Sequence, residues 1–444
     1  MTCDLCNCFA LLSDTWIGGV RESCDAGRTR AAAWGLGPLL SSDDIDEGHI
    51  PVKPIHATAA GLSALLLLLT ACGDSDETGQ GGEGRGEDLV VAVPVPLTSG
   101  NSAAAQMMLN SAKLAVKDIN AGGGAGGRNL VVKEYDDKLS PDESVKVAQR
   151  AVTVDKAEVV VGAYTTIEGL AIRQVTESRK IVFLGPSTIS PAFLDKAVYT
   201  YRVGHDQRDY PVQMMELLTK LGYKKPVVLA DDGPTGATLF GPIEEAAKAA
   251  GLQPAGTVKY ALNATDLSGP IAEIKRSGAD SVIAIGSSAA DAGLAMKTMV
   301  EQGVQTPVLG FSSLIAPDAL KIGGDAFTKL PAIYTFSNMQ PSKPQYQEFA
   351  KKYADEYNNG TEVALVEQAG ATYDAFMILD KVLDQTGGDT NGEKLVQALD
   401  AMEPIEGVSG KQGCQMSYKE SHSAFKLCLV AFKFENGKPV EQAG

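Results

Sequence analysis

Histidine and basic residues are scarce in this chain of 444 residues. It has four histidines, and its 39 lysines and arginines are outnumbered by 55 aspartates and glutamates, which gives a formal net charge of −16. An acidic chain offers no basic face for binding nucleic acid or anionic lipid. Two histidines precede residue 60 and the others are His205 and His422, so a zinc site or a catalytic triad has few residues to draw on. The sequence therefore predicts a protein that is not an enzyme and uses no metal, cofactor or nucleic acid.

Apolar runs long enough to cross a bilayer, about 20 residues, are also missing. The longest run, Ala57 to Ala71, ends in the sequence "LTAC" at Cys72. A short apolar run that ends in a small residue and then cysteine resembles the signal peptide and lipobox of bacterial lipoproteins. We therefore expect a signal peptide at residues 52–71, lipidation of Cys72 as a membrane anchor, and a flexible acidic tether at residues 72–87. The alternative is a buried helix with an incidental cysteine.

Residues 1–51 are unusual for a segment that precedes a signal peptide, which should begin near its apolar run with a basic residue. Lys53 lies close to that run, and both tryptophans of the chain, Trp16 and Trp34, lie before it. Our hypothesis is that Val52 is the true start, read as methionine from a GTG codon. Residues 1–51 would then be an upstream mis-start or a disordered extension. Any tryptic peptide from residues 1–51 in a mass spectrum of the protein would contradict this hypothesis.

Strand-like and helix-like segments alternate from Leu89 onward. Runs such as "LVVAV" and "EVVVGA" are β-branched and short, and the segments between them have apolar residues at helical spacing. The alternation starts again at Pro226, which indicates two lobes with parallel sheets covered by helices. Three helices then precede a predicted C-terminal hairpin of residues 413–418 with 424–434, so the chain is expected to cross between the lobes more than once.

Cys414 and Cys428 would lie opposite each other in that hairpin. Beyond a lipobox the chain faces an oxidising compartment, in which paired cysteines tend to join. The sequence therefore predicts a disulfide between these two residues, the alternative being two reduced, buried cysteines.

Small polar residues follow most of the predicted strands. The carboxyl ends of parallel strands meet at one edge of a sheet, and ligands bind at that edge in open α/β folds, where helix N-termini favour anionic groups. Each hydroxyl taken singly has the alternative of being only a helix N-cap. The predicted ligand-binding residues of this set are Thr98, Ser99, Thr165, Thr166, Ser187, Thr188, Asp231, Thr235, Ser288 and Ser312.

The order of several segments resembles the leucine/isoleucine/valine-binding family of ABC-importer substrate-binding proteins. The segments that carry the resemblance are "LTSG", "AVKDINAGGG", "VKEYDD", "VVVGAYTT", "IVFLGPSTISP" and "TYRVGHDQ". The resemblance implies an α/β fold of periplasmic-binding-protein type I, with two doubly wound lobes, parallel central sheets and a three-stranded hinge. It implies crossovers near residues 201–206, 333–337 and 406–413.

The resemblance also implies roles for individual residues. Thr165 and Thr166, with Ser187 and Thr188, would hold the ligand's polar head, often a carboxylate. The loop after "PVLGF" often carries an acid for the ligand's ammonium group, but here it reads Phe311-Ser312-Ser313. The negative charge for the ligand's ammonium group could instead come from Asp206, Asp231 or Asp232. Tyr164, Tyr210 or Phe311 could pack against the ligand.

These features together predict a monomeric, lipid-anchored, extracytoplasmic receptor that delivers a small polar ligand to an ABC permease. An amino acid, an amide, urea and a small carboxylate all remain open as the ligand. The runner-up is a sensor that uses the same cleft to signal to a partner. We expect lobe 1 to comprise residues 88–204 and 336–406, and lobe 2 to comprise residues 205–335 and 407–444.

Overall fold

The structure, a computed structural model, describes residues 86–99, 102–286 and 288–442. The expected signal peptide, Cys72 and residues 72–85 of the expected tether lie outside these ranges. Within them, every helix is too short or too polar to cross a bilayer.

The first sheet has five strands, all of them parallel. The elements of this part of the chain are β1 (Leu89–Val95), α1 (Ser102–Ala121), β2 (Leu130–Asp136), α2 (Pro141–Thr153), β3 (Val159–Val161), α3 (Thr166–Arg179), β4 (Val182–Gly185) and β5 (Thr200–Arg202). The spatial order is β2-β1-β3-β4-β5. Val91 and Val93 pack into a core on one face, whereas Ala92 between them packs into a core on the other. Both faces are therefore buried, as in sheets covered by helices on two sides.

The middle of the chain builds most of a second sheet in the same way. Its elements are α4 (Asp209–Leu221), β6 (Pro226–Asp231), α5 (Pro234–Ala249), β7 (Gly256–Tyr260), α6 (Ser268–Ser277), β8 (Ser281–Ile285), α7 (Ala289–Glu301), β9 (Val308–Gly310), α8 (Pro317–Gly323), α9 (Ala326–Lys329) and β10 (Ile333–Ser337). Val227 and Leu229 face one core of this sheet, and Val228 and Ala230 face the other. The predicted repeat of the βα pattern at Pro226 is thus present.

The last part of the chain contributes to both sheets. Its elements are α10 (Pro344–Tyr357), α11 (Glu367–Thr386), α12 (Gly392–Asp400), β11 (Val430–Glu435) and β12 (Lys438–Glu441). Helices α11 and α12 share a core with the first sheet, whereas β11 and β12 complete a second sheet of order β12-β11-β10-β9-β8-β6-β7. Strand β11 pairs antiparallel with its two neighbours, and the other pairs of this sheet are parallel.

The chain passes between the two sheets three times, between β5 and α4, between β10 and α10, and between α12 and β11. We call the first sheet with its helices lobe 1 and the second sheet with its helices lobe 2. Two details differ from the expected division. Strand β10 continues to Ser337 in lobe 2, and residues 416–428, assigned to lobe 2 from the sequence, contribute Met416, Tyr418 and Phe425 to the core of lobe 1.

The C-terminal hairpin differs from the prediction, although the disulfide is present. Residues 413–418 form no strand, and the hairpin is instead β11 with β12. Cys414 and Cys428 are nevertheless joined, with their Cα atoms 6.0 Å apart. The predicted strand pairing was wrong because residues 414–428 fold onto the core of lobe 1 as an irregular loop, which brings the two cysteines together without a ladder of hydrogen bonds.

Candidate functional site

The loops at the carboxyl edge of lobe 1 are joined to one another by the hydroxyls that follow the strands. Ser187, after β4, donates to the backbone carbonyl oxygen of Tyr164, after β3, at 2.6 Å. Thr166 accepts a hydrogen bond from the backbone N–H of Ser190 at 3.3 Å. A hydroxyl that accepts one hydrogen bond can still donate its hydrogen. Thr166 is partly buried, and its bond with Ser190 does not use its hydroxyl hydrogen.

Other hydroxyls of this edge serve the local structure. Thr165 caps α3 in a reciprocal capping box with Glu168, as its spacing predicts. Thr98 hydrogen-bonds to Asp136 at the end of β2, and Ser99 donates to the carbonyl oxygen of Pro96 at 3.2 Å. Thr188 is fully buried and donates to the carbonyl oxygen of Gly185 at 3.4 Å. These residues shape the edge of lobe 1, and the local bonds account for their hydroxyls without a ligand.

Asp206, a candidate for the charge that faces the ligand, is held by two arginines. Its side chain forms ion pairs with Arg202, which is fully buried, and with Arg208. Burial alone would raise the pKa of the Asp206 carboxyl, but the hydrogen bond of Arg208 and the positive charges of both arginines outweigh it and lower that pKa. Arg202 also donates to the carbonyl oxygens of Thr188 at 2.9 Å and Ser190 at 2.6 Å. The cluster therefore fixes the first crossover to the loop after β4.

Asp231, at the end of β6, organises the edge of lobe 2. It is 2% exposed, and its Oδ1 accepts hydrogen bonds from the backbone N–H groups of Gly233 and Gly236, both at 3.1 Å. A Cβ at Gly236 would lie 2.0 Å from the Asp231 carbonyl oxygen, so only glycine fits there. Thr235 lies in the same first turn of α5 and is partly buried. The acid thus holds the start of α5 beside the sheet.

The loops after β8 and β9 form the rest of the lobe 2 edge. Ser288 is the N-cap of α7 and accepts a hydrogen bond from the backbone N–H of Asp291 at 3.2 Å. Ser313 donates to the carbonyl oxygen of Gly286 at 2.9 Å, which ties the two loops together. Ser312 instead donates to Oε1 of Glu367 at 3.1 Å. Glu367 is the first residue of α11 in lobe 1, so this bond spans the two lobes.

Glu367 is the functional candidate that the sequence reasoning missed. Besides Ser312, its carboxylate accepts hydrogen bonds from the Ser337 hydroxyl at 3.2 Å and from the backbone N–H of Asn338 at 3.4 Å. The sequence gives only one weak signal for it, an acid at the start of a helical pattern in "VALVEQAG". Such an acid usually serves the helix terminus, and its partners lie 29 to 55 residues away along the chain.

Aromatic side chains pack beside this acid. The rings of Tyr210 and Phe311 stack with centroids 4.0 Å apart, and His205 meets Tyr210 edge-on at 5.3 Å. His205 is 2% exposed, and both of its ring nitrogens lack a hydrogen-bond partner among the residues that the structure describes. Burial lowers the pKa of His205 more than the nearby Glu367 raises it, so the imidazole is neutral at pH 7. Two of the three aromatic residues proposed for ligand packing, Tyr210 and Phe311, thus adjoin each other.

Potential metal ligands are dispersed in the part of the chain that the structure describes. Within residues 86–99, 102–286 and 288–442, no three histidine, cysteine, aspartate or glutamate side chains cluster closely enough to hold an ion. The arrangement instead suits the binding of a small molecule, with hydroxyls on the lobe 1 edge and an acid and aromatic rings where the lobes meet.

Comparison with known proteins places the chain among binding proteins. The family described as "Periplasmic binding protein" matches residues 88–437. A Leu/Ile/Val-binding protein homolog from Brucella suis is 22% identical over 354 residues, which is 79% of this chain and 91% of the relative. A leucine binding protein structure from Thermotoga maritima superposes with a TM-score of 0.70 at 21% identity, covering 80% of this chain and 98% of that one.

A third similar protein was solved with a different type of ligand. It is a solute binding protein of an ABC transporter from Rhodopseudomonas palustris in complex with 3,4-dihydroxybenzoic acid. It superposes with a TM-score of 0.67 at 22% identity and covers 80% of this chain and 96% of its own. At these identities the structural matches show the type I fold.

Proposed function

The chain belongs to the periplasmic binding protein family, and from this premise we propose that it captures a small polar ligand between its lobes and delivers it to an ABC permease. The hydrogen bond from Ser312 of lobe 2 to Glu367 of lobe 1 carries this proposal. It shows that polar side chains from the two lobes meet at one place, beside the rings of Tyr210 and Phe311. A ligand bound there touches both lobes and stabilises their closed arrangement.

The polar head of the ligand is assigned to lobe 1. Thr166 keeps a hydroxyl hydrogen for it, and the N-terminus of α3 at Thr166 adds a favourable dipole for an anionic group. The apolar part of the ligand would pack on the stacked pair of Tyr210 and Phe311. The named relatives include a Leu/Ile/Val-binding protein homolog, a leucine binding protein and a protein solved with an aromatic acid, which supports a small ligand that carries a carboxylate over the alternatives of an amide or urea.

Calorimetric titration of the full chain tests this function. The ligands are the twenty amino acids, urea, acetamide and 3,4-dihydroxybenzoate. We expect one class to bind, and small-angle scattering to show a smaller radius of gyration with that ligand than without it. Binding without any change in the scattering would contradict closure, and no binding across the series would contradict the capture of these ligands.

We further propose that Cys72 is acylated and anchors the protein outside the cell membrane. The support is the sequence alone, an apolar run that ends in "LTAC" and is followed by a polar, glycine-rich segment. Labelling expressing cells with radioactive palmitate should mark the wild type and leave the Cys72→Ala variant unmarked. Equal labelling of both would contradict the assignment.

A further inference from the structure

The carboxyl group of Glu367 has only uncharged hydrogen-bond partners among the residues that the structure describes. Its carboxylate accepts hydrogen bonds from two hydroxyls, Ser312 and Ser337, and from one backbone amide, that of Asn338. All three donors are uncharged. Among the residues that the structure describes, Glu367 forms no ion pair with a lysine, arginine or histidine. The N-terminus of α11 supports a negative charge at this position, but it supplies a partial charge and no specificity for a partner.

The surroundings of Glu367 are rich in acceptors that lack donors. The side-chain oxygen of Asn338 is buried without a hydrogen-bond partner, and so are both ring nitrogens of His205, of which one is an acceptor in the neutral ring. Both side chains are 2% exposed. Asn338 follows Ser337 directly, and His205 is close enough to Glu367 to interact with its charge. Buried polar atoms without partners are rare in folded proteins, so these atoms indicate a place where another molecule supplies donors.

The interlobe position of Glu367 gives it access to a ligand that lies between the lobes. The residue begins a helix of lobe 1 yet contacts the end of β10 and the loop after β9, both in lobe 2. It is partly buried, as expected at the margin of a cleft. Ser312 and Ser337 are short, uncharged donors, and a cationic nitrogen in their place would add a Coulombic attraction to Glu367 that they lack.

We propose that Glu367 selects the ligand by accepting a hydrogen bond from a positively charged nitrogen, either an ammonium or an amidinium group. This inference rests on the proposed function, since it names the class of ligand that the interlobe cleft holds. The loop after β9 carries no acid of its own. Here the acid comes from the opposite lobe, and the charged nitrogen would bind where Glu367 accepts the hydrogen bond from Ser312.

Matched pairs of compounds test the proposal by calorimetric titration of the full chain. Within each pair one compound has the charged nitrogen and the other lacks it, and all of them carry a carboxylate: L-leucine with 4-methylpentanoate, L-phenylalanine with 3-phenylpropanoate, and 4-amidinobenzoate with 4-carbamoylbenzoate. A seventh compound, 3,4-dihydroxybenzoate, has no nitrogen. The variants are Glu367→Gln, which keeps the side-chain shape and removes the charge, and Glu362→Gln, which removes an exposed charge from the same segment.

The member of one pair that has the charged nitrogen should bind the wild type and the Glu362→Gln variant at least ~10-fold more tightly than its match, a factor that corresponds to about 1.4 kcal/mol. In Glu367→Gln this preference should fall to about twofold or less. Because the preference compares two compounds on one protein, a general loss of folding cannot produce the result.

Three outcomes would overturn the assignment. If the two members of a pair bind alike, or if the preference survives in Glu367→Gln, Glu367 is only a structural acceptor and the cleft still binds its ligand. If 3,4-dihydroxybenzoate alone binds, with the same affinity for both variants, the proposed function stands and the charged nitrogen is wrong. If none of the seven compounds binds while urea or acetamide does, the assignment fails and the proposed function stands; if nothing in either series binds, both fail.

Discussion

The buried ammonium of Lys343 donates to the backbone carbonyl oxygen of Ser409 at 3.0 Å. It also reaches the carbonyl oxygen of Gly410 at 3.3 Å and Oε1 of Glu406 at 3.5 Å, while the Lys343 side chain is fully buried. From the other side, Asp374 accepts hydrogen bonds from the backbone N–H groups of Val408 and Ser409. One lysine and one aspartate thus hold residues 406–410, which lie between α12 and β11 on the third passage.

Replacing Lys343 with methionine should destabilise the protein by about 3 kcal/mol. The substitution keeps most of the buried volume but leaves two carbonyl oxygens and the Glu406 carboxylate without their shared donor, and breaking a buried charge pair has a cost of this size. Urea unfolding at pH 7 measures the change. Lys351→Met is the matched control, because Lys351 pairs with Asp355 on the surface, where an ion pair contributes about 0.5 kcal/mol. Equal losses in the two variants would contradict a buried clamp.

Asp137 makes the stability of lobe 1 depend on pH. The residue is fully buried, and burial raises the pKa of its carboxyl from 3.8 to about 6, an effect that the negative charges of Glu168 and Asp136 reinforce and the backbone N–H of Leu139 opposes. Its Oδ2 has no hydrogen-bond partner among the described residues. Because the folded-state pKa lies above the unfolded one, the folded protein binds the extra proton between about pH 4 and pH 6, and stability falls as the pH rises through that window.

The change in the free energy of unfolding caused by Asp137→Asn should therefore be more favourable at pH 7 than at pH 4. A shift from 3.8 to about 6 corresponds to about 2–3 kcal/mol of free energy of unfolding. Urea unfolding of the wild type and the variant at both pH values gives the difference. Asp142→Asn, at an exposed position in the first turn of α2, serves as the control. A difference that is independent of pH would show that folding leaves the pKa of Asp137 unchanged, and one of opposite sign would show that folding lowers it.

The disulfide between Cys414 and Cys428 constrains the same connection between α12 and β11. Gly410, with φ of +76°, lies against both cysteines, since a Cβ there would be 3.4 Å and 3.5 Å from theirs, and Lys411 donates its backbone N–H to the Cys428 carbonyl oxygen at 3.0 Å. Replacing both cysteines with alanine should cost about 3 kcal/mol, because a closed loop of about 15 residues restricts the unfolded chain by that amount.

Urea unfolding with and without reductant measures this loss. Reductant should weaken the wild type to nearly the level of the double variant and leave the variant unchanged. A peptide map under non-reducing conditions provides the independent check, since separate, unlinked Cys414 and Cys428 peptides would contradict the bridge.

Local patterns predicted the elements well because a few neighbouring residues determine them. Helix α3 begins beside the capping box of Thr165 and Glu168, and Ser140 is the N-cap of α2, where it accepts from the backbone N–H of Glu143. In each case the partners are three residues apart. The same locality explains why several predicted ligand hydroxyls proved to be engaged at the ends of helices and strands. A Ser or Thr after a strand satisfies backbone groups whether or not a ligand binds.

Contacts between distant residues could not be inferred in this way. The bond between Ser312 and Glu367 joins positions 55 residues apart and depends on how α11 packs in lobe 1. Asp206 is one of three acids that the sequence offers for the ligand's charge, and the structure pairs it with Arg202 and Arg208, four and two residues away in the sequence. The packing of the crossover decides whether those side chains point inward or outward, and the periodicity of the sequence does not reveal that packing.

Thr165 and Thr166 are adjacent but should respond differently to substitution by alanine. Thr165→Ala removes the capping box of α3 and should lower the free energy of unfolding by about 1 kcal/mol, with little effect on ligand affinity. Thr166→Ala removes the hydroxyl whose hydrogen is not used in its bond with the Ser190 amide and should weaken binding by about 1–2 kcal/mol, as expected for one hydrogen bond to a polar or charged head. Urea unfolding and calorimetric titration of both variants, with the ligand found for the wild type, separate the two roles. An unchanged affinity in Thr166→Ala, or a loss of affinity in Thr165→Ala that exceeds it, would move the polar head of the ligand away from Thr166.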